Sequence, residues 1–425
     1  MLLITTTHHL LGYSEDTGFR QVHSGNGLYY GLALHEDKVF VSCRNNTAGP
    51  LDSSARSREY GSILVFDKTT LQVIEELQPP DFPLRDVHGI AVADSRIWVT
   101  CSCDNLVAIY DMTSGQWERW FPSPDPAARG IDINHFNTIS FEATNDGSYI
   151  LLLAHNNGPS QIFRYQHSSR ELESVIPLGV HAHDIFTVAG ARATCSSGEG
   201  LLLSADGWRY RTGAFPRGIA FTDDSVWIGV SHRAARAERA SASGCLLRLT
   251  REWLYSTSHI LPNVGMVLAT AAVELDRNVL QGLEPFHAVE DPHNPERRTY
   301  AVGESRFDPV LVPEWHSGEQ THRWSACLNA RLGIVVNAAE STLLIDLVSL
   351  FPGSIEVTIL FNGVFACAHT WNNPGPASLR LSIPAGVYGA CTLTFCVPHL
   401  WSAAEDSGGV DPRHLGICVQ KVEVA

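Results

Sequence analysis

The chain has 425 residues, which is enough for two or three ordinary domains, and its formal net charge is −15. This acidic balance, without any run of lysine or arginine, excludes the basic surface that nucleic-acid-binding proteins present. No apolar run approaches the ~20 residues of a membrane-spanning helix, and the first residues lack the features of a signal peptide, so we expect a cytoplasmic protein without a membrane partner.

The first residues contain three short runs, at 2–6, 9–13 and 18–22, that have the length and alternation of β-strands. Such strands need partners, because an unpaired strand edge leaves backbone hydrogen-bonding groups open. Their predicted partner is the apolar run that begins at Val264, near the end of the repeat that follows. This pairing would join the two ends of the repeat in one sheet.

One pattern of strands recurs from residue 30 onwards. A first strand starts with a polar or aromatic residue followed by Gly-Ile-Ala-Val or a related run, and a second strand of alternating apolar residues follows after a turn. Two further strands complete the unit, as in the segment 62–73. The units start at Tyr30, His88, Asn137, His183 and Arg217, with an incomplete sixth start at Val264.

Four short strands repeated every ~40–50 residues are typical of a β-propeller. Five complete units, and a sixth that the N-terminal runs would complete, predict six blades for residues 1–300. Five or seven blades stay open as alternatives, because the unit at 183–212 is short.

The repeat gives way to another kind of sequence near residue 311, after a segment rich in Pro, Arg, Glu and His that we interpret as a linker or loop. The strand-like runs beyond it have the spacing of a β-sandwich, and Asn362-Gly363 predicts a hairpin turn. The predicted fold class is therefore all-β, with a six-bladed β-propeller at 1–300 followed by a jelly-roll-like β-sandwich at 301–425.

The repeats, with their Gly-Ile-Ala-Val strand starts, resemble those of lyase-type and NHL-like β-propellers. The last quarter of the chain resembles a small β-sandwich module appended to bacterial glycosyltransferases and surface-polysaccharide enzymes. The segments that carry this second resemblance are Glu314-Trp-His, His322-Arg-Trp-Ser, the turn at Asn362, Asp411-Pro-Arg-His-Leu-Gly and Val422-Glu-Val. The resemblance implies a carbohydrate-linked or assembly context and no particular reaction.

The candidate site follows from the register of the repeat. In a propeller the first strand of every blade lines the central channel, so equivalent strand starts converge at one mouth. His135 lies two residues before such a start, and His155 and His232 stand at the ends of second strands. The strand starts themselves are polar, aromatic or cationic, namely Tyr30, His88, Asn137, His183 and Arg217.

Several neutral imidazoles around one point suit a divalent transition metal such as iron, manganese or zinc. The predicted ligands are His88, His135, His183 and His232. His155 is predicted as a catalytic residue, or as a fourth ligand in place of His232. Carboxylates that could orient the imidazoles stand beside them at Asp86, Asp132 and Asp184.

A four-histidine iron site at a propeller axis is found in carotenoid cleavage oxygenases, whose geometry, but not whose sequence, is similar to this arrangement. The metal hypothesis therefore predicts a metal-dependent oxygenase or lyase that acts on a small-molecule or sugar-derived substrate. It requires the histidines to meet within metal-ligand distance.

The same positions allow two other functions. Tyr30 and a histidine could act as base and acid while Arg217 neutralises a substrate carboxylate, which would make a metal-free lyase or isomerase. A propeller can also serve as a non-catalytic binding or scaffold platform, in which case the histidines could scatter. The sequence carries no signal for the oligomeric state.

Overall fold

The chain divides into two compact units, and most of its described residues lie in β-strands. Unit 1 comprises Met1–Tyr210, Phe215–Thr257 and Leu261–Ala288, and unit 2 comprises Arg211–Ala214, Ser258–Ile260 and Val289–Ala425. No helix among the described residues is long and apolar enough to cross a membrane. The computed structural model describes residues 1–45, 60–123, 125–212, 215–231, 244–253, 255–261, 264–286, 289–291, 299–301, 315–316, 323–336, 341–385, 389–402 and 413–425.

Short antiparallel strands make up unit 1. The first three are β1 (Leu2–Thr6), β2 (His9–Ser14) and β3 (Gly18–Ser24). Two groups of four follow, namely β4 (Leu28–His35), β5 (Lys38–Asn45), β6 (Tyr60–Asp67), β7 (Val73–Leu77), β8 (Val87–Ala93), β9 (Arg96–Cys101), β10 (Leu106–Asp111) and β11 (Gln116–Trp120). The next two groups are β12 (Phe136–Thr144), β13 (Gly147–Ala154), β14 (Pro159–Gln166), β15 (Leu172–Val180), β16 (Ala182–Val188), β17 (Ala191–Ser196), β18 (Leu201–Ser204) and β19 (Arg209–Arg211).

The last strands of this part of the chain are β20 (Phe215–Phe221), β21 (Ser225–Ser231), β22 (Gly244–Thr250), β23 (Tyr255–Leu261) and β24 (Val267–Ala272). A short helix and one more short strand follow, α1 (Arg277–Gln281) and β25 (Glu284–Pro285). Strands pair in chain order within five sheets, which are β4–β7, β8–β11, β12–β15, β16–β19 and β20–β23. The four-strand repeat that the sequence predicts is therefore present.

The sheets of unit 1 follow one another in a closed cycle. The first strands contact each other in the order β4, β8, β12, β16, β20 and β24, and β24 contacts β4 again. Apolar residues between neighbouring sheets form the cores, for example Trp98 and Ile150 of adjacent sheets in one buried cluster. Burial of such side chains stabilises each junction by ~25 cal/mol per Å² of apolar surface removed from water.

The two ends of the repeat meet in one sheet. β24 pairs with β1 from Leu2, opposite Ala272, to Thr6, opposite Val267, and β2, β3 and β25 extend this sheet. The prediction that the N-terminal strands pair with the apolar run after Val264 is confirmed. The cycle therefore leaves neither β1 nor β24 as an open edge.

Glycine at the second position of the repeat allows neighbouring first strands to approach closely. A Cβ atom at Gly89 would lie 2.7 Å from the Cα of Thr138 and 2.9 Å from the carbonyl oxygen of Asn137, both on the next first strand. At Gly31 a Cβ atom would meet the carbonyl oxygen of His88. The glycine in the recurring Gly-Ile-Ala-Val run is thus explained by the distance between sheets.

A buried hydroxyl also joins each pair of neighbouring sheets. At every junction a serine or threonine side chain from one sheet forms a hydrogen bond with a backbone group near the start of the next first strand. The six pairs are Thr5 with Tyr30, Ser42 with His88, Ser102 with Phe136, Ser160 with Ala182, Ser197 with Pro216, and Ser231 with Val267.

Replacing Ser42 with Ala should test this role. The Ser42 hydroxyl donates to the carbonyl oxygen of His88 at 2.7 Å and accepts from the backbone N–H of Gly31 at 2.8 Å. Ser42→Ala leaves both backbone groups without this partner and should lower the free energy of unfolding by about 1–3 kcal/mol. The control Ser148→Ala, at an exposed position of β13, should change it by less than ~0.5 kcal/mol. Equal urea midpoints for both variants would contradict the role.

Unit 2 contains two antiparallel sheets that share one apolar core. β26 (Val289–Asp291) stands outside these two sheets and pairs with the end of β23, from Ser258 to Ile260. The other strands of the unit are β27 (Thr299–Ala301), β28 (Arg323–Trp324), β29 (Asn329–Val336), β30 (Thr342–Ser349), β31 (Ile355–Phe361), β32 (Val364–Trp371), β33 (Gly375–Ser382), β34 (Gly389–Cys396) and β35 (Cys418–Val424). One sheet has the order β27-β35-β30-β33, and the other has the order β29-β34-β31-β32. Alternate residues such as Ile345 and Val357 point into the common core.

The predicted hairpin turn in this unit is confirmed. Asn362 and Gly363 both have positive φ angles, 50° and 79°, and Phe361 pairs with Val364 on either side of them. Two central residues with positive φ suit the twist of the flanking strands. Glu314, His322 and Asp411, which belong to the segments that resemble polysaccharide-enzyme modules, lie outside the described residues.

Candidate functional site

The strand starts of the repeat surround two cavities in unit 1. The larger, of about 230 Å³, is the mouth cavity, and a second cavity has a volume of about 180 Å³. Asn137 lines the second cavity. Five residues line both cavities and form a layer between them, namely Tyr30, His88, His183, Arg217 and Leu268.

One register prediction is wrong. Val264 was expected at the sixth equivalent position, but it is fully buried in an apolar cluster between sheets. Leu268 lines both cavities and is followed by Ala269 and Thr270 in the second, as Tyr30 is followed by Gly31 and Leu32. Gly265 looks like the glycine of the repeat in the sequence, which explains the wrong register. The strand itself starts two residues later, at Val267, and Leu268 takes the position that Tyr30 has in the first unit.

Aromatic and imidazole rings follow one another around the mouth cavity. The ring centroids of Tyr30 and His88 are 4.6 Å apart, those of His88 and His135 are 5.0 Å apart, and those of His135 and His155 are 5.1 Å apart. His183 continues the series, with its centroid 5.3 Å from that of His155. Four histidines predicted for the site therefore line the same cavity, and His232 lies outside the described residues.

Hydrogen bonds to Nδ1 define the tautomers of three of these histidines. Nδ1 of His135 lies 3.0 Å from both carboxylate oxygens of Asp132, and Nδ1 of His88 lies 2.8 Å from the backbone carbonyl oxygen of Asp86. These acceptors require a proton on Nδ1 of the neutral ring. Nε2 is then the nitrogen that carries the lone pair, as in metal-binding or proton-accepting histidines.

His183 has the same tautomer for a different reason. Its Nδ1 lies 2.8 Å from the hydroxyl of Ser197, which itself donates to the carbonyl oxygen of Pro216. Asp184, expected to orient His183, instead accepts hydrogen bonds from the backbone N–H groups of Ile185 and Ile219. The serine that orients His183 was not predicted, since its sequence position resembles any strand end.

The opposite tautomer is set for His155. Its Nδ1 accepts a hydrogen bond from the backbone N–H of Asn157 at 3.1 Å. The neutral ring must therefore carry its proton on Nε2. His155 can therefore donate a hydrogen bond from Nε2, in contrast to the other three histidines.

A buried ion pair lies at one side of the mouth cavity. Nη1 of Arg44 is 2.5 Å from Oδ1 of Asp86, and both side chains are almost completely buried. Arg44 also donates a hydrogen bond to the phenol oxygen of Tyr30 at 3.0 Å. The guanidinium of Arg217 lies 5.7 Å from the centroid of the Tyr30 ring, so two arginines flank this tyrosine.

Asp86, His88 and His135 form a compact set of potential metal ligands. One donor atom from each lies within 4.8 Å of the other two, and all three residues are buried. No other set of three donors this close is found in the described part of the chain. His183 lies outside this set although it lines the same cavity.

Burial controls the charge of the titratable groups here. It holds the pKa of His88 well below its usual range, and the charges of His135, Arg44 and Arg217 act in the same direction against the attraction of Asp86. Burial and the charge of Arg217 likewise lower the pKa of His183. Burial raises the pKa of Asp184 to about 6. His88 and His183 are therefore neutral at pH 7.

No protein-family model and no curated protein matches this chain. Among solved structures, an exo-β-1,3-galactanase from Phanerochaete chrysosporium is similar over the whole of both chains, at 11% identity and a TM-score of 0.38. A chain of a nidogen/laminin complex is similar over 64% of this chain and 97% of its own, at 11% identity and a TM-score of 0.43.

Virginiamycin B lyase from Staphylococcus aureus is similar over 64% of this chain and 99% of its own, at 13% identity and a TM-score of 0.35. All three TM-scores lie below 0.5, so none of these likenesses carries an argument about substrate or reaction.

Proposed function

We propose that the chain is an enzyme whose active site is the mouth cavity, where Asp86, His88 and His135 hold a divalent transition metal such as iron, manganese or zinc. The observation that carries the proposal is the approach of three buried donor atoms to within 4.8 Å of one another. Two imidazoles and a carboxylate are a donor set that such metals prefer. The substrate is a small molecule or a sugar derivative.

The surroundings of these donors also fit a metal site. Asp132 and the carbonyl oxygen of Asp86 each accept a hydrogen bond from Nδ1 of a histidine in the set, which is how ligating histidines are usually oriented. A metal bound there would act as a Lewis acid toward a substrate oxygen or a water molecule. His183 and Arg217 lie outside this donor set and are assigned to contacts with the substrate.

The chain's own residues supply the proton chemistry. His183 presents an unprotonated Nε2 and can accept a proton from the substrate, becoming an imidazolium, whereas the neutral His155 ring donates a hydrogen bond from Nε2 to a substrate oxygen on which negative charge develops. Tyr30 is held by Arg44 and bounds the space for the substrate. We assign unit 1 as a six-bladed β-propeller and unit 2 as a jelly-roll-like β-sandwich. We also propose that the protein is cytoplasmic.

One observation favours the metal-free alternative. Arg44 already pairs with the carboxylate of Asp86, and a guanidinium and a metal ion compete for the same oxygens. In that case Tyr30, His183 and Arg217 would form a lyase or isomerase site without a metal. A protein that binds neither metal nor small molecule in this cavity would instead be a scaffold.

Metal titration separates these functions. After treatment with chelator and removal of the chelator, the purified protein should bind about one Mn²⁺ or Zn²⁺ per chain by calorimetry, and His135→Ala should abolish the binding. Asp132→Asn should weaken it about 10- to 100-fold, because Asp132 orients the His135 ring. The control His35→Ala removes a histidine at the end of β4 that lies away from Tyr30 and should leave binding unchanged. Absence of stoichiometric binding by the unaltered chain would favour the metal-free site.

A further inference from the structure

We infer that the mouth cavity binds a small oxyanion, a carboxylate or phosphate group on a molecule no larger than a monosaccharide, and that Arg217 is the residue that holds it. The inference rests on the proposed function only in placing the ligand in the same cavity. It concerns the class of substrate, which the metal proposal leaves open.

The charges around the cavity point to an anion. The whole chain is acidic, with a formal net charge of −15. Among the described residues that line the mouth cavity, the only carboxylate is Asp86, and Arg44 pairs with it. Arg217 adds a second positive charge, and His155, whose neutral ring carries its proton on Nε2, adds a hydrogen-bond donor. An anion would therefore meet more positive than negative charge.

Arg217 has the position that this role requires. It is 8% exposed, it starts a first strand, and it lines both cavities. Its planar guanidinium can present two parallel N–H groups to a carboxylate or phosphate, a geometry that lysine lacks.

The rest of the ligand meets an apolar wall. Phe215, Met266 and Leu268 form one buried cluster with the ring of Tyr30, and all four line the mouth cavity near Arg217. A volume of about 230 Å³ lies below the ~300–1,000 Å³ of sites for drug-sized ligands. A small ring with C–H groups on one face and one oxyanion fits these walls.

The test compares three probes that share one sugar ring, glucuronate, glucose 6-phosphate and glucose, by calorimetry on metal-stripped protein. At least one charged probe should bind about 10- to 100-fold more tightly than glucose, and the better of the two identifies the oxyanion as carboxylate or phosphate. Arg217→Gln should abolish this difference, and Arg217→Lys should retain part of it. The control Arg170→Gln removes an arginine paired with Glu118 on the surface and should retain all of it.

Equal binding of all three probes, or binding of none, would overturn the inference, and both results are obtained with the unaltered chain. Circular dichroism of Arg217→Gln checks that its sheets are intact. Because the protein carries no metal in this experiment, a failure of the oxyanion proposal can be told apart from a failure of the metal proposal. Repeating the titration with Mn²⁺ bound shows whether both hold together.

Discussion

Replacing Arg44 with Gln should lower the free energy of unfolding by about 3–5 kcal/mol, because it leaves Asp86 as a buried charge without its guanidinium. The exposed fractions of the two side chains are only 3% and 1%, so water cannot substitute for the lost partner. The same change removes the hydrogen bond to the phenol of Tyr30. Urea denaturation followed by circular dichroism measures the effect.

A second substitution and a surface pair make this test specific. Asp86→Asn in the Arg44→Gln background should recover much of the lost stability, since it removes the uncompensated charge. Arg96, the first residue of β9, and Asp111, the last residue of β10, form a comparable pair, but both are substantially exposed. Arg96→Gln should therefore cost less than about 1 kcal/mol. If Arg44→Gln cost no more than Arg96→Gln, the buried pair would not be a major source of stability.

The Arg44 variant also bears on the metal site. Guanidinium and metal are alternative partners for the carboxylate of Asp86. Removal of Arg44 should therefore increase the stabilisation that Mn²⁺ or Zn²⁺ gives, compared with the unaltered chain. A metal that stabilises neither protein would favour the metal-free site around Tyr30 and Arg217.

The sequence was sufficient to place the layer of residues at the centre of unit 1. Equivalent strand starts must converge when sheets repeat around a cycle, so Tyr30, His88, His183 and Arg217 could be identified from register alone. The pairing of β1 with β24 could also be predicted, because both strands would otherwise have an open edge.

Distances around the cycle could not be derived in this way. Whether two histidines meet depends on how many sheets separate them, and one complete sheet stands between those of His88 and His183. The compact donor set comes instead from neighbouring sheets. The pair of Arg44 with Asp86 joins the end of a second strand to the residue before another strand, where Asp86 has a φ angle of 53°. A single sequence does not reveal this local backbone conformation.

Gly89→Ala should be among the most destabilising single substitutions in unit 1. The added Cβ atom would lie 2.7 Å from the Cα of Thr138 and 2.9 Å from the backbone nitrogen of Ile139, on the adjacent first strand. These are backbone atoms held within a sheet, so only separation of the two sheets would relieve the overlap. We expect a loss of about 3 kcal/mol or more, at the upper end of what overpacking costs.

Gly158→Ala is the matched control for this substitution. The nearest atom to its added Cβ would be the carbonyl oxygen of Asn156 at 3.9 Å, which is ordinary van der Waals contact. Its stability should change by less than about 1 kcal/mol, because there is room for the methyl group and only backbone entropy is affected. Urea midpoints of the two variants provide the comparison. Equal midpoints would mean that the first strands of neighbouring sheets lie farther apart than this packing requires. A large difference would show that the recurring glycine is needed for close approach of the strands that carry His88 and Asn137.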